Sequence, residues 1–141
     1  MVQSQIFLPC VALVVLTAMV WIRLYVERIG EMRARRIRPQ VLASAREVTQ
    51  ALQNVNAADN FRNLFEVPVL FYVLCISLAA TQLVTPLDMW AAWSFVALRA
   101  AHSLVHLTYN RVMHRFMVYA ASTVLVFIMW LSFGVRLLAA Q

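Results

Sequence analysis

Four apolar stretches of this 141-residue chain are each long enough to cross a lipid bilayer as a helix. They are residues 6–25, 64–84, 89–109 and 116–138. About 20 residues cover the roughly 30 Å hydrocarbon core of a bilayer at a rise of 1.5 Å per residue. The chain is 63% hydrophobic with two Gly and four Pro, which is too apolar for a soluble domain of this length. We therefore predict an all-α integral membrane protein, an up-down four-helix bundle that forms a single transmembrane domain over residues 1–141.

The net charge of +6 arises from twelve arginines that are shared unequally among the connections. Seven lie in the connection of residues 26–63 and two, Arg111 and Arg115, at the third connection, whereas residues 85–88 contain none. This is the positive-inside pattern. It predicts that residues 26–63 are cytoplasmic and that both termini lie outside the cytoplasm, with Arg136 as an exception. The cluster from Arg33 to Arg38 is interpreted as an anchor for anionic lipid head groups, or alternatively one of its arginines reaches an anionic ligand at the membrane face. The uneven distribution of the arginines argues against nucleic acid as a partner.

The second half of the first connection has a helical pattern. Residues 41–63 contain no Gly or Pro, and their apolar residues recur at helical spacing. We predict a helix that continues without a break into the second span, where Pro68 can kink it.

Ionisable side chains interrupt the apolar stretches, and such groups at membrane depth normally face a bundle interior and are paired. On the third stretch, Arg99, His102, His106 and Asn110 follow at +3, +4 and +4, so they share one helix face. Because a face this polar is unlike the Ala, Leu, Val and aromatic residues around it, we predict that it is shielded from lipid.

Two other helices carry matching polar stripes near the same membrane surface. The second helix has Asn56, Asp59, Asn63 and Glu66, and the fourth has Arg115, Tyr119 and Ser122. These stripes predict a cytoplasmic-side pocket suited to a ligand with carboxylate and amine groups. Glu66 is the expected partner of Arg99, either directly or through His102.

Other uses of these residues stay open at this stage. The polar network can serve only to hold an oligomer together, without catalysis. His102 and His106 at i, i+4 can chelate a metal if Glu66 supplies a third ligand, but no other span offers a His for haem. A small transporter is the third alternative, although the first span has no carboxylate. We predict no metal site.

Two motifs together resemble the MAPEG family, the membrane-associated proteins in eicosanoid and glutathione metabolism. They are Asp59-Asn60-Phe61-Arg62-Asn63-Leu64-Phe65-Glu66-Val67-Pro68, and Leu98-Arg99-Ala100-Ala101-His102-Ser103 followed by Arg111, Arg115 and Tyr119. The chain departs from the family pattern at Asp59, where Arg is usual, at His106, where Tyr is common, and at Phe116, where one branch has Ser.

The resemblance implies a homotrimer of four-helix subunits in the inner membrane of a bacterium. It implies a glutathione-dependent transferase or peroxidase that acts on a lipophilic electrophile or hydroperoxide, with glutathione as co-substrate. Arg115 would be the catalytic residue near the thiol. The residues that would bind glutathione or shape its site are Arg62, Asn63, Glu66, Arg99, His102, His106 and Tyr119.

Overall fold

The computed structural model describes residues 3–52 and 55–140, and all regular structure within these ranges is helical. The helices are α1 (Phe7–Ala34), α2 (Ala45–Ala51), α3 (Asn56–Asn63), α4 (Val67–Ala80), α5 (Pro86–Leu107) and α6 (Val112–Ala139). Short 3-10 turns at Gln3–Ile6 and Pro39–Leu42 precede α1 and α2. The all-helical prediction is confirmed.

Within the described residues, three helical stretches are long and apolar enough to cross a membrane, and they make this an integral membrane protein. They are Gln3–Ala34, Asn56–Ala80 and Val112–Ala139. The 22-residue α5 is not among them, because buried Arg99, His102 and His106 reduce its mean hydropathy. A fourth crossing by α5 stays a prediction.

The unbroken helix predicted from residue 41 into the second span is wrong. Leu52 has extended backbone angles (φ −99°, ψ 137°) and a buried side chain, so α2 ends there. Residues 53–54 lie outside the described residues. A second break separates α3 from α4, where Glu66 is non-helical (φ −94°, ψ −99°). Pro68, in the first turn of α4, favours this break, because it has no N–H to donate to the carbonyl of Leu64 and its ring would clash with that carbonyl in a continuous helix.

Helix α5 lies at the centre of the packing, in contact with α6, α1 and α3. The rings of Phe71 on α4 and Phe95 on α5 stack with their centroids 4.5 Å apart, and both side chains are fully buried. Leu13, Leu74 and Val126 extend this apolar core onto α1, α4 and α6. The same face of α5 is polar on both sides of the stacked rings along the helix. Packing of the rings in the core therefore fixes the positions of these polar side chains.

An ion pair, here called the Asp88 clamp, fastens one end of the bundle. Thr85 and Asp88 form a capping box at the start of α5, and Pro86 lies between them as the first residue of the helix. The Asp88 carboxylate also accepts two hydrogen bonds from Arg136 of α6, Nη1 to Oδ2 and Nη2 to Oδ1, each 2.8 Å long. Arg136 further donates to the carbonyl of Leu83 at 2.8 Å. Arg136, the exception to the positive-inside pattern, is therefore neutralised by Asp88.

Candidate functional site

The inner face of α5 places four polar side chains in the interior of the bundle. Arg99, His102, Ser103 and His106 are all buried, with at most 2% of each residue exposed. Their +3, +1 and +3 spacing puts them on one helix face, as the sequence predicts. We call these four residues the polar face of α5.

An asparagine ladder on α3 contacts this face. Asn56 accepts a 2.9 Å hydrogen bond from Asn110, and Asn60 accepts one of 3.2 Å from the hydroxyl of Ser103. The third asparagine, Asn63, uses its backbone carbonyl, which accepts from Nη2 of Arg99 at 2.7 Å. Three hydrogen bonds thus join α3 to α5 and its C-terminal end.

The ladder corrects the polar stripe predicted for the second helix. Asn60 is fully buried and was missed, whereas the predicted Asp59 and Glu66 are exposed. The sequence does contain this pattern, because Asn56, Asn60 and Asn63, spaced at +4 and +3, can share one helix face just as Asn56, Asp59 and Asn63 can. The break after α3 rotates Glu66 out of the helical register, so its spacing from Asn63 does not place it on the inner face.

The predicted link between Arg99 and Glu66 exists in a different form. In the described part of the chain Arg99 and Glu66 form no direct ion pair. Instead, the Arg99 guanidinium carbon lies 5.3 Å from the ring centroid of Tyr119, and the Tyr119 hydroxyl donates to Glu66 Oε2 at 3.3 Å. The connecting side chain is therefore Tyr119, and the predicted role of His102 as connector is wrong.

Arg115 of α6 is held at the edge of the polar face. Its Nη1 donates to Asn110 Oδ1 at 2.8 Å and to His106 Nε2 at 3.3 Å. Its backbone carbonyl lies 3.2 Å from Nδ1 of His102. A guanidinium only donates and a carbonyl only accepts, so Nε2 of His106 is an acceptor and Nδ1 of His102 carries a proton. Both imidazoles are consequently fixed in one tautomer by Arg115.

A pocket of about 230 Å³ opens beside these groups. Its walls are Asn63, His102, Val112, Arg115, Phe116 and Tyr119. Of the residues predicted for the site, the structure thus brings Asn63, His102, Arg115 and Tyr119 to one pocket. The others lie around it: Arg99 and His106 are buried behind the wall, Glu66 is tied to Tyr119, and Arg62 is exposed and lines no part of it.

Several buried polar atoms around the polar face have no hydrogen-bond partner among the described residues. They are Nδ2 of Asn60, Nε and Nη1 of Arg99, Nε2 of His102 and Nδ1 of His106. Buried polar groups are nearly always paired, with water where protein does not reach. His102 and His106 have ring centroids 5.7 Å apart, yet no three His, Cys, Asp or Glu side chains among the described residues are grouped closely enough to hold a metal ion.

The comparison with known protein families agrees with the motifs of α3 and α5. The model of the MAPEG family matches residues 6–135, which include helices α1 to α5 completely and α6 as far as Val135. No curated protein matches the chain. No solved structure matches it either. Because the family match covers most of the sequence, the chain belongs to the MAPEG family, the membrane-associated proteins of eicosanoid and glutathione metabolism.

Proposed function

We propose that the protein is a membrane-bound, glutathione-dependent transferase or peroxidase that acts on lipophilic electrophiles or hydroperoxides. The observation that carries this proposal is the setting of Arg115. Its guanidinium is held by Asn110 and His106 on the wall of a pocket that Asn63 and Tyr119 also line. A cation fixed at a pocket wall is suited to bind a thiolate, which is the reactive form of a thiol.

In the proposed reaction, Arg115 stabilises the thiolate of glutathione, and the proton of the S–H bond passes to water at the membrane surface. With an electrophile, the thiolate sulfur forms the new S–C bond while the bond from that carbon to its leaving group breaks and the leaving group departs with the bonding electrons; with an activated alkene, the π bond breaks instead and the carbanion that forms takes a proton from water. With a hydroperoxide, the sulfur takes one oxygen of the O–O bond and a second glutathione completes the reduction. The products are then an alcohol, water and glutathione disulfide, so atoms and electrons balance.

The remaining polar residues supply groups that match the rest of glutathione. The peptide has two carboxylates for arginine side chains and an amine for a carboxylate. We assign Arg62, Asn63 and Glu66 to the peptide backbone. Tyr119 lines the site and, through its ring and hydroxyl, couples Arg99 to Glu66. His102 forms part of the pocket wall, and Arg99 and His106 shape the pocket from behind.

The assembly that we propose is a homotrimer. A pocket of about 230 Å³ in one chain is below the roughly 300–1,000 Å³ of typical ligand sites. Arg62 and Glu66 are exposed beside it. A neighbouring subunit that covers this edge would enlarge and close the site, which agrees with binding between subunits as the family resemblance implies.

For the membrane, we propose four spans with α5 as the third, in the inner membrane of a bacterium, with both termini outside the cytoplasm. The Asp88 clamp supports this orientation, because it neutralises Arg136, the arginine that opposes the positive-inside pattern. Buried Arg99 does not prevent α5 from crossing, since its charged group faces the bundle and not lipid.

The test compares Arg115→Leu with Arg111→Leu, an exposed arginine one helical turn earlier. We expect Arg115→Leu to lower turnover with a model electrophile about a hundredfold, in line with the loss of one transition-state charge contact. Glutathione binding, measured by calorimetry in detergent, should weaken far less. The ultraviolet absorbance of the thiolate should disappear in Arg115→Leu and persist in Arg111→Leu.

Two outcomes would contradict the proposal. An unchanged thiolate signal in Arg115→Leu would remove Arg115 from the mechanism. An absence of glutathione binding by the wild-type protein would favour the alternative, in which the asparagine ladder and the polar face only stabilise an oligomer. The hydrogen bonds that join α3 to Arg99 and Ser103 of α5 and to Asn110 beyond its end would be the basis of that structural role.

A further inference from the structure

Arg115 is held at the pocket wall by two acceptors of different chemistry. One is Oδ1 of Asn110, which lies 2.8 Å from Nη1 of Arg115. Nδ2 of the same amide donates to Asn56 of α3 at 2.9 Å, so the orientation of Asn110 is fixed from a third helix. The other acceptor is Nε2 of His106, 3.3 Å from the same Nη1. Of the two acceptors, only the imidazole belongs to a type that gains a proton between about pH 5 and pH 8.

The hydrogen bond from Arg115 requires the neutral form of His106. Because a guanidinium only donates, Nε2 must offer its lone pair, and the single ring proton lies on Nδ1. That Nδ1 is buried and has no hydrogen-bond partner among the described residues. A second proton would occupy the lone pair of Nε2 and place two positive charges 3.3 Å apart. Protonation of His106 and its hydrogen bond with Arg115 are therefore mutually exclusive.

The charges around His106 do not remove this conflict. In the described part of the chain, the charged or titratable groups that face its ring are Arg115 on α6, Asp59 on α3 and His102 one turn earlier on α5. Asp59 is exposed, so solvent screens its attraction for an imidazolium. His106 itself is only 1% exposed. An imidazolium at His106 would therefore face the guanidinium of Arg115 with only a screened carboxylate to balance it.

We propose that His106 is a positioning residue with a pH-dependent hold on Arg115: the neutral ring keeps the guanidinium at the pocket wall, and protonation releases it. One proton from water binds Nε2, the hydrogen bond from Arg115 breaks, and Arg115 remains a cation that turns away from His106. No oxidation or reduction takes place. The consequence rests on the proposed function, since a released Arg115 no longer stabilises the thiolate of bound glutathione. Acid then removes the thiolate in two ways, by protonation of the sulfur and by displacement of its cation.

Three variants isolate the titration of His106. In His106→Gln the amide oxygen can accept from Arg115 but gains no proton near neutral pH, so the contact is kept and its pH dependence is lost. His106→Leu removes the acceptor at every pH. The matched control is His114→Gln, because His114 is an exposed histidine next to Arg115 in the sequence, and its Nδ1 lies 3.2 Å from the Tyr109 hydroxyl. Turnover at about pH 7.5 should be about tenfold lower in His106→Leu, which loses one of the two hydrogen bonds of Arg115, with partial recovery in His106→Gln.

The first measurement is the ultraviolet absorbance of the thiolate of bound glutathione as a function of pH. For a thiol that titrates alone, the ratio of thiolate to thiol falls about tenfold per pH unit. In the wild type and in His114→Gln we expect a steeper fall between about pH 7.5 and pH 5, up to about a hundredfold per unit, because a second proton is taken up at His106. In His106→Gln the fall should be about tenfold per unit.

The second measurement needs no glutathione. Nitrogen NMR of the protein in detergent, with isotope-labelled histidine and arginine, reports which ring nitrogen carries the proton and whether the Arg115 side chain moves. We expect the proton of His106 on Nδ1 at about pH 7.5, with its signal identified by its absence in His106→Gln. As the pH falls, protonation of His106 and a shift of the Arg115 resonance should coincide. Arg115→Leu should release the ring of His106 from this tautomer.

The proposal can fail separately from the proposed function. Equal slopes in the wild type and His106→Gln, or a slope that His114→Gln also reduces, would overturn the pH-dependent hold. A His106 ring with its proton on Nε2, or an Arg115 resonance that does not change as His106 titrates, would overturn the contact itself. If the wild type binds no glutathione, the proposed function is wrong, and the nitrogen signals alone decide whether His106 holds Arg115.

Discussion

The Asp88 clamp allows a test of the fold that does not depend on the proposed activity. Asp88 is 4% exposed and accepts both 2.8 Å bonds of Arg136, whose side chain is 26% exposed. Loss of one partner from a buried ion pair leaves an uncompensated charge and costs about 3–5 kcal/mol. Because Arg136 is partly exposed, we expect the lower end of that range: Asp88→Asn and Arg136→Met should each reduce the free energy of unfolding by about 3 kcal/mol.

The double variant Asp88→Asn with Arg136→Met isolates the interaction between these two side chains from their contacts with the rest of the protein. With both charges gone, no uncompensated charge remains, so the double variant should be destabilised less than either single variant and far less than the sum of about 6 kcal/mol, which corresponds to a coupling energy of more than about 3 kcal/mol. In thermal unfolding in mild detergent, each single variant should lose roughly 6–12 °C of Tm. Arg111→Met, at an exposed position, should stay within about 0.5 kcal/mol of the wild type. Additive losses in the double variant would refute the coupling.

Further predictions concern pH, the asparagine ladder and topology. Burial raises the pKa of the Asp88 carboxyl, but hydrogen bonds from Arg136 and Thr85 prevail and hold this pKa below its ordinary value of 3.8. The clamp should therefore contribute its full stability above about pH 4 and lose it as the pH falls through the lower folded pKa. In Arg136→Met the pKa of Asp88 should be higher than in the wild type, because burial is no longer opposed by Arg136, so the Tm gap between the two proteins should narrow as the pH falls and close towards pH 3. Asn60→Leu should reduce the free energy of unfolding by about 1–2 kcal/mol, because it leaves the buried Ser103 hydroxyl without its partner, whereas Asp59→Leu at an exposed position should change the Tm little. Equal losses in the two variants would show that the asparagine ladder does not stabilise the fold. A cysteine introduced in residues 85–88 should react with an impermeant reagent from outside the cell, and labelling only after lysis would reverse the proposed topology.

The polar face of α5 was predictable because one continuous helix carries it. Spacings of +3 and +4 are reliable within an unbroken helix, and Arg99, His102 and His106 indeed share a buried face. The long apolar helices were predictable for the same reason, since length and hydropathy need no knowledge of packing.

The second helix was less predictable because its breaks depend on tertiary packing and on Pro68. The prediction assumed helical spacing across the break at Glu66, so it put Glu66 on the inner face and did not include Asn60. The register of α3 is set by the bonds that Asn56 and Asn60 form with residues more than 40 positions away, and no local pattern contains that information. The role of Tyr119 was hidden likewise, because it depends on the rotation of α6 against α5.

The two ends of the bundle differ in how completely their buried polar groups are paired, and this difference bears on which end has a function. At the Asp88 clamp every carboxylate oxygen and both terminal guanidinium nitrogens have partners, as a purely structural ion pair requires. At the polar face, Nε and Nη1 of Arg99 and Nε2 of His102 have no partner in the described part of the chain, although both residues are almost fully buried. A network selected only for stability would leave no such atoms, since each one costs about 1–3 kcal/mol. Departures from complete pairing concentrate at functional sites. We therefore expect water, a ligand or a neighbouring subunit to supply the missing hydrogen-bond partners beside Arg115. Arg99→Met should abolish glutathione binding and leave the Asp88 clamp unchanged.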